Sequence, residues 1–357
     1  MYDTIIIGAG MSGLAAGIRL AYYDQKVCIL ERHTTIGGLN SFYRLNGRNY
    51  DVGLHAVTNF TPKGSRRGPL ARLLRQLRFS WADLQLRPQL GSSIAFPGVR
   101  LDSTNGPDLL CDEIARKFPA ERDGFRQLLQ SLADYDDLTA EHARISAREF
   151  VGSHIRDPLL IEMLFCPLMF YGNAREHDMD LGQFCIMFRS IFLEGLARPF
   201  AGVRPILKLL TRRFKSLGGE LRLRSGVNRL AVEGGRVQAV ILDDGTELTA
   251  KHILSSAGYL ETMRLCDDVS QETPAPQGQL SFVEAISALD VEPRQLGCDR
   301  TIVFFNDSRK FHWEKCQELV DVRSGVICCP NNFAYDAPLA EGLIRVTAIA
   351  NFDRWNG

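Results

Sequence analysis

Gly8-Ala9-Gly10-Met11-Ser12-Gly13 follows Thr4-Ile5-Ile6-Ile7 at the start of the chain, and no other feature restricts the fold as much. A run of isoleucines predicts a parallel strand buried on both faces. In the turn that follows, Gly8 permits the reversal, Gly10 lets a pyrophosphate approach the backbone, and Gly13 lets helix and strand pack closely. The start of the predicted helix offers unpaired N–H groups and a partial positive charge to the phosphates, with Ala9, Met11 and Ser12 as neighbouring backbone contacts. Lys26 to Leu30 reads as the second strand, and Glu31 at its end is placed to accept hydrogen bonds from a ribose. A glycine motif alone is a weak signal. Preceded by a strand, followed by a helix and joined by an acid about 20 residues on, it predicts a dinucleotide site.

A second glycine cluster narrows the cofactor. Arg32-His33-Thr34-Thr35-Ile36-Gly37-Gly38-Leu39-Asn40 comes directly after the ribose acid. Two adjacent residues without Cβ bring a second stretch of backbone close to a ligand. A flavin dinucleotide in an extended pose would use that contact, through Gly37, Gly38, Leu39 and Asn40, along its pyrophosphate and ribityl chain. The competing reading of Gly37-Gly38 is a plain surface turn. Arg32 could signal a 2′-phosphate, but Glu31 beside it would repel one. Arg32 fits better over the adenine or near the phosphates.

With Tyr50-Asp51-Val52-Gly53-Leu54-His55, these segments resemble the N-terminal signature of FAD-dependent amine oxidase and phytoene desaturase-type enzymes. The Asp-x-Gly-x-His form leans toward the phytoene desaturase, carotenoid isomerase and retinol saturase side. The resemblance resumes at Ala201-Gly202-Val203-Arg204-Pro205, Leu217-Gly218-Gly219-Glu220-Leu221, Val227, Asp244-Gly245 and Ser255-Ser256-Ala257. It implies an FAD cofactor, with Gly53, His55, Val227 and Ala257 added to the contacts. The position of Val227 would place its backbone at the adenine; a buried strand valine explains it equally well. The resemblance further implies hydride transfer between flavin and a long apolar polyene or lipid, in a desaturation, saturation or isomerisation. An amine oxidase-like enzyme for a small polar amine and a non-catalytic nucleotide-binding scaffold are the alternatives.

At 357 residues the chain exceeds one ordinary core, so two domains are expected. Lys and Arg number 42, as do Asp and Glu, so the formal net charge is zero and no basic excess marks a nucleic-acid partner. The nine cysteines are scattered without zinc spacing, which fits reduced core thiols, and no metal site is expected. Asp3 stands where a signal peptide would be basic, and no apolar stretch approaches a membrane span. A cytoplasmic location is expected, with contact at a membrane surface left open.

The expected fold class is α/β: a Rossmann-like FAD domain with a discontinuous α+β substrate domain of helices and an antiparallel sheet. The FAD domain would comprise 1–60 and 201–260. The mostly helical cap would be 61–200, and the sheet 261–357. Leu70, Leu73, Leu74 and Leu77 predict an amphipathic helix. Ser146 and Glu149 predict a capping box. Leu159 to Tyr171 is strongly apolar and reads as core or as the wall of a greasy channel; Phe165, Leu168, Met169 and Phe170 would suit the latter. Alternation through Phe282, Glu284 and Ile286, and through Ile344, Val346, Ala348 and Ala350, predicts half-buried strands. The resembled enzymes close the flavin site with a C-terminal strand, glycine turn and helix; no such segment follows Tyr259, so the sequence is expected to be either a piece of a longer protein or a shortened relative, and FAD binding without that segment is expected to be weaker. His55 is the one candidate catalytic side chain; a packing role is its alternative.

Overall fold

A computed structural model describes residues 1–61, 68–135, 145–268 and 280–355. The chain divides into two compact units. The first comprises residues 1–54, 69–85 and 201–276; the second comprises 55–68, 86–200 and 277–357.

The first unit is built on a four-stranded parallel sheet. β1 (Tyr2–Ile7) pairs with β2 (Val27–Leu30) on one side, Ile7 opposite Leu30, and with Ala250–Ser255 on the other, Ile7 opposite Ser255. Glu220–Arg222 extends the sheet beyond β2. Ile5 and Ile6 are fully buried, as a strand covered on both faces requires. Helix α1 (Met11–Ala21) joins β1 to β2 and buries Leu14, Gly17 and Ile18. Gly17 has a packing reason: a Cβ there would lie 2.9 Å from Ile29 Cδ1 and 3.0 Å from the Phe214 ring. A second, antiparallel sheet of Val227–Glu233, Arg236–Leu242 and Glu247–Leu248 turns at Asp243-Asp244-Gly245.

Pro69–Leu77 is helical, as its periodicity predicts, but its buried stripe is Ala71, Leu74 and Leu77, while Leu73 is 43% exposed. It belongs to the first unit. There Arg19 donates to the Gln76 carbonyl at 2.9 Å and the Tyr22 hydroxyl to the Leu77 carbonyl at 2.9 Å. The breaker-rich loop read from Thr61 to Pro69 lies largely outside the described residues.

The second unit holds a six-stranded sheet in the order Ser281–Leu289, Gly342–Ala350, Val320–Cys328, Ile302–Asn306, Ser92–Phe96, Val99–Ser103. It is antiparallel except at one seam, where Ile302–Asn306 runs parallel to Ser92–Phe96. Helices spanning 108–134 and 147–188 pack their apolar faces into one core with the sheet. Pro158–Gly172 is capped by Asp157, whose carboxylate accepts from Leu159 N at 2.8 Å and Leu160 N at 3.4 Å. Ser146 caps Ala147–Gly152 by accepting from Glu149 N at 3.1 Å, and its own hydroxyl donates to Asp178 at 2.6 Å. Phe170 stacks among Phe282, Phe311 and Trp313. Cys28, Cys166, Cys328 and Cys329 are buried, and burial pushes their thiols up, Cys328 to about 11 and Cys329 to about 12. No helix among the described residues is long and apolar enough to cross a membrane.

Candidate functional site

The site is a cleft of about 1390 Å³ in the first unit, at the carboxyl end of β1. Gly8 turns the chain with φ +99°, a conformation that side chains resist, and a Cβ there would come 2.8 Å from Ser256 Oγ. At Gly13 a Cβ would lie 2.1 Å from the Gly8 carbonyl oxygen, so α1 can pack this closely only without a side chain. Gly10 differs. Its φ of −69° suits any residue, and a Cβ would meet no protein atom within 4 Å. The missing side chain therefore leaves open space at the first turn of α1. No side chain caps that helix at Gly10, so its leading N–H groups are available to an anion.

The second glycine cluster backs onto the first. Gly37 N donates to the Ala9 carbonyl at 2.9 Å, and Gly10 and Gly37 pair as in a parallel ladder. Gly37 is buried at φ +114°, where a Cβ would meet Leu207 Cδ1 and Ser41 Cα, each at 2.8 Å. A Cβ on Gly38 would lie 3.5 Å from Gly10 Cα. The pair is thus a wall of the cleft rather than an isolated surface turn.

Glu31 is 7% exposed and faces the cleft. Its Oε2 accepts from Ala9 N at 2.9 Å and its Oε1 from His33 N at 3.0 Å. Each carboxylate oxygen keeps a further lone pair, so the group still has acceptors for a sugar hydroxyl. Arg32 and Arg264 supply positive charge at the rim.

Of the residues named from sequence, Gly8, Gly10, Met11, Ser12, Glu31, Arg32, Gly37, Gly38, Leu39, Asn40, Val227 and Ala257 line the cleft. Ala9 is fully buried beneath it and supplies the N–H held by Glu31. Gly13 lies behind the turn. Gly53 supports the wall from outside: with φ +72°, a Cβ would sit 2.8 Å from the Leu39 carbonyl oxygen. His55 lies in the second unit, outside the cleft lining. Ser225, Ser256 and Arg264 also line the cleft, beyond the contacts that the sequence assigns. Ser256 has a readable signal, since it follows a strand parallel to β1 and loops at such strand ends form the crevice. Among the described residues no group of three His, Cys, Asp or Glu could hold a metal.

This geometry is that of a dinucleotide fold, and the comparisons agree. Residues 6–77 match the NAD(P)-binding Rossmann-like domain. The chain is 26% identical over 297 residues to the chloroplastic prolycopene isomerase of Arabidopsis thaliana, covering 73% of this chain and 48% of that protein. It is 26% identical over 289 residues to the neurosporene-forming phytoene desaturase of Rhodobacter capsulatus, covering 72% and 52%. The chain is a homologue of prolycopene isomerase and the phytoene desaturases. This homologue spans about half the length of those relatives. Its fold is that of an oxidoreductase from Methanosarcina mazei, with TM-score 0.69 and 17% identity over 99% of this chain and 80% of the other. Putrescine oxidase shares the fold at TM-score 0.60 and 15% identity, over 99% and 77%.

Proposed function

We propose that the cleft binds FAD and that the protein is a flavin-dependent oxidoreductase of the phytoene desaturase type, acting on a long apolar substrate. One observation carries the cofactor reading. The Gly37–Gly38 backbone is hydrogen-bonded onto the Gly8–Gly10 turn, so the cleft continues past the ribose carboxylate along a second stretch of main chain. The open space at Gly10 and the uncapped start of α1 suit a diphosphate. Glu31 would hold the adjoining ribose, Val227 and Ser225 would border the adenine, and Gly38 to Asn40 would follow the chain toward the flavin ring. The bound flavin supplies hydride acceptance and return. The protein's own part is to grip the diphosphate through backbone N–H groups and keep the sugar oriented.

The substrate class rests on the relatives, whose names specify phytoene and prolycopene, and on the aromatic group of Phe170, Phe282, Phe311 and Trp313 in the second unit. Purified protein tests the cofactor directly. A yellow preparation whose released cofactor is FAD is expected. A colourless protein that takes up no added FAD would overturn the assignment.

A further inference from the structure

His55 is held by one ring nitrogen only. Its Nε2 lies 3.0 Å from Thr347 Oγ1 and 3.2 Å from Glu284 Oε1. Thr347 and Glu284 stand directly opposite each other on the paired strands Gly342–Ala350 and Ser281–Leu289, so strand register puts both beside the imidazole. Glu284 is fixed in turn by buried Arg345, whose Nε and Nη2 donate to its two oxygens at 2.9 and 2.6 Å. The Thr347 hydroxyl lies 3.4 Å from Glu284 Oε1 and can donate to it. An ionised carboxylate accepts and cannot donate, and its Oε1 stands within reach of Nε2. His55 Nε2 must therefore be the donor, which leaves the lone pair on Nδ1.

That lone pair is unmet: Nδ1 is buried and has no hydrogen-bond partner. Native proteins rarely leave a buried acceptor in this state unless something else completes it. The charged groups around the ring are Glu284 and Arg345 on the two strands, and Arg198, which donates to the His55 carbonyl at 3.0 Å. Burial, then Arg345, then Arg198 disfavour a second proton on the ring. Tyr171 Oη, also within reach of the Arg198 charge, is a second buried polar atom with no partner. An aromatic group begins one step along the same strand face. Phe282 lies two residues from Glu284 on the same strand, with its ring 5.8 Å from Trp313 and 6.1 Å from Phe170.

We propose that His55, set by Glu284 and Thr347, is a neutral hydrogen-bond acceptor for the hydroxyl end of a predominantly apolar ligand. The ligand hydroxyl donates to Nδ1, and its hydrocarbon part lies against the aromatic side chains. This site rests on the second unit alone and does not depend on the flavin assignment.

Long-range ¹H–¹⁵N spectra of the full chain with labelled histidine test it, using 1-dodecanol and dodecane as probes and His55→Gln to assign the resonance. The wild-type ring should show a protonated Nε2 and an unprotonated Nδ1, unchanged from pH 8 to pH 5. Dodecanol should move the Nδ1 resonance and dodecane should not. His55→Phe should weaken dodecanol binding about tenfold, the loss of one hydrogen bond, and leave dodecane binding unaltered. A proton on Nδ1, titration near pH 6.5, or equal responses to the two probes would each overturn the proposal, and each is read on the wild-type protein once the resonance is assigned.

Discussion

At Gly8 the chain holds φ +99° with Ser256 Oγ only 2.8 Å from where a Cβ would stand. Gly8→Ala must therefore strain the backbone and displace the serine. We expect a loss of about 1–3 kcal/mol of stability, read as a lower thermal midpoint, with reduced FAD uptake. Glu31→Ala removes the acceptor for the Ala9 and His33 N–H groups as well as the proposed ribose contact. FAD binding should weaken by about 1–3 kcal/mol in a fluorescence titration, and an unchanged affinity would take Glu31 out of the site. The residues around Gly8 and Glu31 are legible in sequence because their requirement is local: a turn, a helix start and a strand end lie within one short stretch of chain. The neighbours of His55 are not. Glu284 and Thr347 reach it from more than 200 positions away, and nothing short-range announces them.

Helix Pro158–Gly172 shows how much one element can carry. Met163, Leu164, Phe165 and Leu168 are fully buried on it, so the apolar run reads as core. Met163→Ala should cost about 2–5 kcal/mol, and Asp157→Ala about 0.5–2 kcal/mol through loss of its cap. Urea unfolding would measure both. A Met163 variant as stable as the wild type would show that the space around it collapses freely. Element type was readable here and in the amphipathic helix at Pro69–Leu77, because periodicity and caps are written within each segment. Pairing was not. The alternating strands predicted an antiparallel sheet, and the parallel seam between Ser92–Phe96 and Ile302–Asn306 depends on contacts that no local pattern encodes. The exposure of Leu73 has the same origin, since its neighbours decide which stripe of the helix is covered.

For the molecule as a whole, pH should act through His55. Burial, with Arg345 and Arg198, lowers its pKa from 6.5 to about 3. Between those values the unfolded chain binds a proton that the folded chain refuses. The stabilisation is thus full above pH 6.5 and is lost as pH falls toward 3. Denaturation curves at pH 7 and pH 5 should show the decline, and His55→Gln should flatten it; equal slopes for both proteins would discount His55. The parallel seam has its own consequence, in time rather than space. The hairpin Ser92–Ser103 leaves the ribosome long before Ile302–Asn306 exists to cover its flank. Until then the outer edge of Ser92–Phe96 carries unpaired backbone N–H and C=O groups, an open template for another strand in an interval when nascent chains aggregate or recruit chaperones. Slower translation between those two stretches is therefore expected to lower the yield of folded protein, measured as the soluble fraction.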